Sequence, residues 1–293
     1  MGSFQKATRV KTKARIGLVG TAGSGKTYSA LQLAIGMGGK IAVIDTEHGS
    51  ASIYTHLGDY DVATIAPPFT TKKYLDLIAE AGKEYDILII DSLSHAWAGT
   101  GGLLEEVDKR GGSGNKFAAW RDVTPMHNAL IDAMLQSPAH IIATMRSKTE
   151  YIIEENDKGK KVPRKIGMAP VQREGLDFEF SLVFDIDQHR HVATASKDRT
   201  GLFDGTCDIL TVAHGAQIRE WLESGDAPAV QKITRDQQKR LFAEMGKVVT
   251  GDELKAQFKI ASSGDITAEQ FDSVIAWVQD MKLAAKTVEP EAA

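Results

Sequence analysis

At 293 residues, 42% hydrophobic and 25% charged, the chain has the composition of an ordinary globular protein and the length for one large domain, alone or with a smaller one. A formal net charge of -4 excludes nucleic-acid binding by overall charge, so any such site must be a local patch. The single cysteine, Cys207, excludes an internal disulfide and fits a reducing cytoplasm, and no apolar run approaches the ~20 residues that span a bilayer, so no membrane partner is expected.

In chain order, residues 1–15 form a basic arm with Lys6, Arg9, Lys11, Lys13 and Arg15 and no acid. It lacks the apolar core of a signal peptide and reads as a loosely packed tail. An α/β core is predicted over 16–223. Its strand candidates are Ile16–Val19, Ile41–Ile44, Asp61–Ile65, Ile87–Ile90, Ile141–Met145, Phe178–Ile186 and Val192–Ala195, with helical stretches between most of the earlier ones. That alternation predicts a mostly parallel sheet with helices on both faces. Only Asp187–Arg190 joins the last two strands, too short for a crossover, so they are expected to form an antiparallel hairpin at the sheet edge. Gly111–Asn115 reads as a mobile loop, and Asn156–Lys161 as a hairpin tip or disordered loop. Residues 224–231 read as a linker. In 232–286, Thr234 and Thr267 each precede a Gln by three residues, the capping-box spacing of helix starts. Phe271, Val274, Ile275 and Val278 follow the apolar spacing of an amphipathic helix. A small domain of about three helices is expected there, followed by a tail over 287–293.

The chemistry starts at Gly20-Thr21-Ala22-Gly23-Ser24-Gly25-Lys26-Thr27, which fits the phosphate-binding pattern G-x-x-x-x-G-K-[ST]. A strand enters it and a helix, Tyr28–Met37, leaves it with Leu31, Ala34 and Ile35 on one face. The glycines let backbone N–H groups turn toward phosphate oxygens, and the helix N-terminus adds partial positive charge. Lys26 is placed to reach the β- and γ-phosphates of ATP, and the Thr27 hydroxyl to hold Mg²⁺. Tyr85–Ser92 has the form of an apolar strand ending in the metal-binding Asp91. The strand Ile41–Ile44 runs into Asp45-Thr46-Glu47-His48. Strand ends line the ligand crevice of such sheets, so Glu47 either orients water near the γ-phosphate or caps the next turn.

This order of P-loop, strand-Asp-x-Glu-His and strand-Asp-Ser resembles the RecA recombinase core. The resemblance implies that Glu47 activates the attacking water, and His48 matches the family pattern beside it. Asp91–Trp97, Ala119–Pro125, Pro170–Gly175 and Ser196–Gly201 are similar to segments of phage-encoded RecA-like ATPases, including the Sak proteins associated with single-strand annealing; the match spans about residues 15 to 205. That likeness implies a cytoplasmic protein, in the host cytoplasm if phage-encoded. Lys197-Asp198-Arg199-Thr200-Gly201 is similar to the Lys-x-Arg-x-Gly element of ring helicases, whose cations reach the neighbouring subunit's nucleotide. It implies catalytic roles for Lys197 and Arg199 within a ring or filament; the other reading is a polar turn after the edge hairpin.

The resemblance also places two DNA-binding loops, at about 95–116 and 147–172. The first holds Trp97, several glycines, Lys109, Arg110 and Lys116, and is expected to be flexible and to order on DNA. In the second, Lys158, Lys160, Lys161, Arg164 and Lys165 stand against one acid, Asp157, between 156 and 165. Arg146, Lys148, Tyr151 and Arg173 flank them. Cations with an aromatic suit a single strand's phosphates and bases, although a solvated hairpin tip accounts for the same pattern and Glu150, Glu154 and Glu155 dilute it. The Asn-Gln sensor that the family carries after its fifth strand is replaced by Thr144-Met145-Arg146. Residues 225–293 carry 9 Lys and Arg against 11 Asp and Glu, which favours contact with a protein, such as a single-strand-binding or annealing protein, over a DNA clamp. The reading as a whole is an ATP-dependent single-stranded DNA-binding ATPase of phage recombination, annealing or replication. A hexameric DNA helicase or translocase and a nucleotide-switched scaffold without DNA are the alternatives.

Overall fold

The structure, a computed structural model, describes residues 6–112, 116–155, 161–226, 232–246 and 248–288; for 116, 149–155, 161–168 and 285–288 it describes the backbone alone. The chain divides into two compact units, Met1–Asp226 and Ala227–Ala293.

The first unit runs β1 (Arg15–Gly20), α1 (Lys26–Met37), β2 (Ile41–Asp45), a 3₁₀ segment (Ala51–Leu57), β3 (Asp61–Thr64), α2 (Thr71–Glu84), β4 (Ile87–Asp91), α3 (Ser94–Ala98), α4 (Leu103–Gly111) and α5 (Lys116–Gln136). It continues through β5 (His140–Glu155), β6 (Lys161–Pro170), a 3₁₀ turn (Leu176–Glu179), β7 (Leu182–Ile186), β8 (Ala193–Asp198), β9 (Cys207–Asp208) and α6 (Val212–Glu223). The sheet order is β3-β2-β4-β5-β1-β7-β8-β9, with β6 paired to the outer half of β5. From β3 to β7 every pairing is parallel; β8 pairs antiparallel with β7, as the short Asp187–Arg190 connection requires.

Every residue of β1, β2 and β4 is buried, which is why these strands are continuous apolar runs with no polar alternation. Period-two geometry divides their side chains between two cores. Ile87 and Ile89 pack with Leu31, Ala34 and Ile218 on the α1 and α6 face, while Leu88 and Ile90 pack with Tyr74, Ile78 and Leu130 on the α2 and α5 face. Helices α1 and α6 touch backbone to backbone. A Cβ on Gly36 would stand 2.0 Å from the Val212 carbonyl oxygen, so only glycine fits the crossing.

The structure departs from the sequence reading in four places. The arm is not loose over 9–15. Arg9 donates to the Trp221 carbonyl and lies 4.1 Å over its ring, Val10 bridges Asp226, and Arg15 is a buried residue of β1. The Arg15 guanidinium satisfies the carbonyls of Ala14, Leu135, Ser137 and Ala139, where α5 ends and β5 begins. The described part of the segment 95–116 is not a flexible loop, because Leu103 and Val107 bury against Ala119 and Val123 and so hold α4 on α5, with the Trp97 and Trp120 rings 5.7 Å apart and tilted by 31° beside them. Of the expected mobile loop Gly111–Asn115, residues 113–115 lie outside the described residues. Phe178 belongs to a 3₁₀ turn, since Gly175 at φ 87 reverses the chain and β7 begins only at Leu182. Finally, β5 runs ten residues past Met145, to Glu155, and β6 returns beside it.

The second unit contains α7 (Arg235–Met245), α8 (Gly251–Phe258), a 3₁₀ turn (Ser263–Asp265) and α9 (Phe271–Val288). Leu241, Met245, Leu254, Phe271, Val274, Ile275 and Val278 form its core. Thr234 and Gln237 exchange the two hydrogen bonds of a capping box, as do Thr267 and Gln270; Thr250 and Glu253 form another.

Candidate functional site

The parallel register aligns the C-terminal ends of four strands. Gly20 of β1 stands beside Arg146 of β5, and Asp45 of β2 beside Asp91 of β4. Between β1 and α1 the chain curls through Gly23 and Gly25, at φ 77 and 91, conformations open to glycine without strain. Ser24 Oγ and Thr21 Oγ1 are buried in this curl with no hydrogen-bond partner. Buried hydroxyls are normally satisfied, so the loop is built for oxygen-rich ligand atoms, and phosphate fits it. Lys26 Nζ folds back onto the Thr21 carbonyl at 2.7 Å. Burial lowers its pKa, against the opposing pull of Asp91 and Glu47. The turn between β7 and β8 braces the loop: Gln188 Nε2 donates to the Ala22 carbonyl at 3.1 Å, and His191 Nδ1 lies 3.0 Å from the Ser24 carbonyl oxygen. Next to this brace lies a cavity of about 620 Å³ lined by Gly20, Thr21, Asp185, Asp187, Gln188 and Thr194, within the size range of ligand sites.

Asp91 closes β4 as a fully buried carboxylate. Its Oδ2 accepts from Thr27 Oγ1 at 2.6 Å and from Ser50 Oγ at 3.3 Å, and its Oδ1 from Thr144 Oγ1 at 2.5 Å. Burial pushes its pKa up, opposed by the Thr144 and Thr27 hydroxyls. A buried carboxylate held against the P-loop threonine suits a divalent cation. Among the described residues no group of three or more His, Cys, Asp or Glu could bind a metal unaided, so Thr27 and Asp91 fit Mg²⁺ only together with phosphate oxygens.

Two carboxylates stand at the end of β2, Asp45 within it and Glu47 after it, and they divide the tasks that the sequence left open for Glu47. Asp45 caps the turn, accepting from the Glu47 backbone N–H at 2.6 Å and from that of Ala51 at 3.2 Å. The Glu47 side chain is thus left for Arg146, whose Nε donates to Oε1 at 2.9 Å and whose second nitrogen donates to Oε2. Burial disfavours the charge on Glu47, but this bidentate bond and its charge hold the carboxyl below its usual range. The same bond raises the pKa of Arg146. The two residues standing where the sensor was expected therefore each touch a carboxylate of the site, Thr144 on Asp91 and Arg146 on Glu47.

A profile for the AAA domain matches residues 12–214, more than two thirds of the chain and all of these groups. The chain belongs to the AAA domain family. Membership makes it a P-loop ATPase, a nucleotide-hydrolysing class that usually works with Mg²⁺. No curated protein matches this AAA domain. Among solved structures it is similar, at 14% identity and a TM-score of 0.37 over 92% of this chain and 80% of the other, to a prototypical ATPase from the type III secretion system of pathogenic bacteria.

Not every residue singled out in the sequence gathers at the P-loop of this AAA domain. Lys197 and Arg199 lie toward the opposite end of the sheet. Lys197 pairs in register with Val183, which pairs with Gly17, three residues before the P-loop. Lys197 Nζ donates to the carbonyls of Asp177 and Phe178 at 2.9 and 2.6 Å, and Arg199 to that of Phe178 at 3.2 Å. Strand β8 extends through Asp198, and a polar turn follows it, in which the Asp198 carboxylate accepts from the N–H groups of Thr200, Gly201 and Phe203. Arg146, grouped in the sequence with the second DNA loop, faces the nucleotide site. Lys148 is exposed on β5, and Arg173 lies beyond β6 beside His127 and Asn128. The backbone of a second arm, formed by β5 and β6, pairs Tyr151 with Lys165, Ile152 with Arg164 and Glu155 with Lys161; Lys158 and Lys160 lie outside the described residues. No helix among the described residues is long and apolar enough to cross a membrane.

Proposed function

We propose that this AAA domain is an ATP-dependent, single-stranded DNA-binding ATPase of recombination, annealing or replication, of the phage RecA-like kind, working as a ring or filament. In this reading the backbone of Gly20–Gly25 and the side chain of Lys26 hold the triphosphate. Thr27 and Asp91 hold Mg²⁺, which when bound neutralises phosphate charge. Glu47 orients the water that attacks the γ-phosphate and accepts its proton, a role worth roughly 10²- to 10⁴-fold in rate. Lys197 and Arg199 act on the nucleotide of an adjacent subunit. The arm formed by β5 and β6, with Lys148, Tyr151, Lys161, Arg164 and Lys165, tracks the single strand together with Lys158 and Lys160 of the intervening segment and Arg173 beyond β6. The acidic second unit contacts a partner protein.

The ion pair between Arg146 and Glu47 is the observation that carries this reading. A carboxylate bound in bidentate fashion to a guanidinium is a poor base, so the pair is a resting state. Arg146 sits at the root of the arm, where Val171 donates to its carbonyl oxygen at 2.6 Å as β6 leaves the sheet. Strand bound along the arm shifts this root, frees Glu47 and switches hydrolysis on.

ATP turnover measured with and without single-stranded DNA, at low and moderate salt, tests the proposal. Stimulation that fades with salt supports it. No stimulation together with no salt-sensitive DNA binding overturns it in favour of a scaffold. Arg146→Gln is expected to raise DNA-independent turnover and abolish most of the stimulation; a fall in basal turnover instead would make Arg146 a catalytic group rather than a restraint.

A further inference from the structure

Behind Glu47 lies a hydrogen-bond network that the proposed function leaves without a task. Thr46, fully buried, precedes Glu47, and its hydroxyl oxygen accepts from the Ser92 N–H at 2.8 Å. That hydroxyl lies 2.7 Å from His95 Nδ1 and 3.3 Å from the Ser92 carbonyl oxygen. The proton of the hydroxyl has three destinations, His95 Nδ1, the Ser92 carbonyl and the Tyr74 hydroxyl. The contact to Nδ1, at 2.7 Å, is typical of an O–H donor and short for an N–H donor, whereas the Ser92 carbonyl lies at 3.3 Å. Thr46 therefore donates to Nδ1. The proton of the ring then resides on Nε2, and the imidazole keeps no free lone pair. Phe69 stacks on the ring at 4.7 Å, 16° from parallel, and fixes its plane. His95 is half-buried, and Glu47, Arg146 and Asp91 are the nearby charges that act on it, together with His48.

We propose that His95 is a positioning residue for Glu47: locked by Thr46 as the Nε2–H tautomer, it donates to the Glu47 carboxylate when Arg146 releases it. The arrangement answers a problem the release creates. A glutamate freed from a bidentate partner would swing among rotamers, and a neutral donor holds it without neutralising it as a base. With its other nitrogen occupied, His95 cannot take the proton of the attacking water, so Glu47 remains the acceptor. This inference rests on the assignment of Glu47 as the group that orients water.

The test combines kinetics with a measurement that needs no turnover. Thr46→Val and His95→Ala are each expected to lower kcat roughly tenfold, the worth of one such hydrogen bond, with KM for ATP near the wild-type value. Thr46→Ser, which keeps the hydroxyl, and His95→Gln, whose amide nitrogen reaches the Nε2 position, should recover most of the loss, whereas His95→Asn should not. Residues acting as one unit are non-additive, so the Thr46→Val/His95→Ala double variant should be no slower than the slower single one. Nitrogen-15 NMR of the wild-type protein should show His95 as the Nε2–H tautomer, and Thr46→Val should lose that preference. Wild-type kcat in His95→Ala, recovery by His95→Asn equal to that by His95→Gln, additive losses, or an Nδ1–H tautomer would each overturn the proposal. Normal turnover in Glu47→Gln would instead remove the reading beneath it, whatever the tautomer.

Discussion

The two ends of the central sheet use their charges in opposite ways. Where β1, β2 and β4 finish, beside Thr144 and Arg146 of β5, charged groups are held within the chain: Glu47 by Arg146, and Asp91 by the Thr27 and Thr144 hydroxyls. Toward the other end, Lys197 and Arg199 are held by the carbonyls of Asp177 and Phe178, and neither forms an ion pair with a carboxylate among the described residues. A carbonyl fixes the position of a cation without cancelling its charge. One end is thus restrained and must be opened, while the other presents charge for something brought to it. Under the proposed function, the phosphate-binding loop at one end and these cations at the other would be the two halves of a head-to-tail assembly, whose interfaces join different patches and close into a ring or extend as a filament.

The largest effect should come from breaking the cationic end. If Arg199 reaches a neighbour's nucleotide, Arg199→Ala should cut turnover by roughly 10³- to 10⁵-fold while leaving folding and ATP binding intact. Mixing it with Lys26→Ala subunits should restore part of the activity, because one interface then carries an intact P-loop facing an intact arginine. Absence of rescue at every mixing ratio would confine the cations to a structural role. Next in size is the restrained end. Glu47→Gln should retain nucleotide binding, measured with a fluorescent ATP analogue, and lose roughly 10²- to 10⁴-fold in kcat. It should also lose the ion pair to Arg146, so any residual turnover should no longer respond to DNA.

The smallest effect is on stability and concerns the strand-start end. His140 opens β5, is buried, and its Nδ1 accepts from the Ala14 N–H at 2.9 Å. Burial, reinforced by Lys13, Arg219 and Arg15 and opposed by Asp86, lowers its pKa from 6.5 to about 4. Between these values the unfolded chain takes up a proton that the folded chain refuses. The stability linked to this group is therefore complete above pH 6.5 and is lost as pH falls through 4. The loss should approach about 3 kcal/mol, seen as a falling Tm across that window. His140→Gln, which cannot be protonated, should flatten the slope there; an unchanged slope would assign it to other groups.

Much of the site was legible in the sequence because its logic is local. Eight consecutive residues from Gly20 to Thr27 carry the loop, and the apolar runs ending at Asp45 and Asp91 mark strand ends that a parallel sheet must align. Capping at Thr234 and Thr267 reads directly for the same reason, since each box closes within three residues. The sequence reading failed where chain-local signals were outweighed by packing. The glycines of 95–116 suggested a loop, but burial of Leu103 and Val107 against α5 made helix; the cations of residues 9–15 suggested a tail, but Trp221 and four carbonyls claimed Arg9 and Arg15.

The sequence alone determined that this chain has a P-loop motif, a carboxylate at the end of an apolar strand, Asp91, and a second one, Glu47, after another strand. Only the tertiary structure decided how those groups are restrained. Arg146 reaches Glu47 across 99 residues, His95 meets Thr46 across 49, and Gln188 and His191 brace the loop from 166 and 167 positions away. Each of these contacts depends on which strands lie side by side. With β5 between β4 and β1, and β7 on the other flank of β1, residues remote in the chain converge on the same strand ends, and no pattern within any one segment encodes that order.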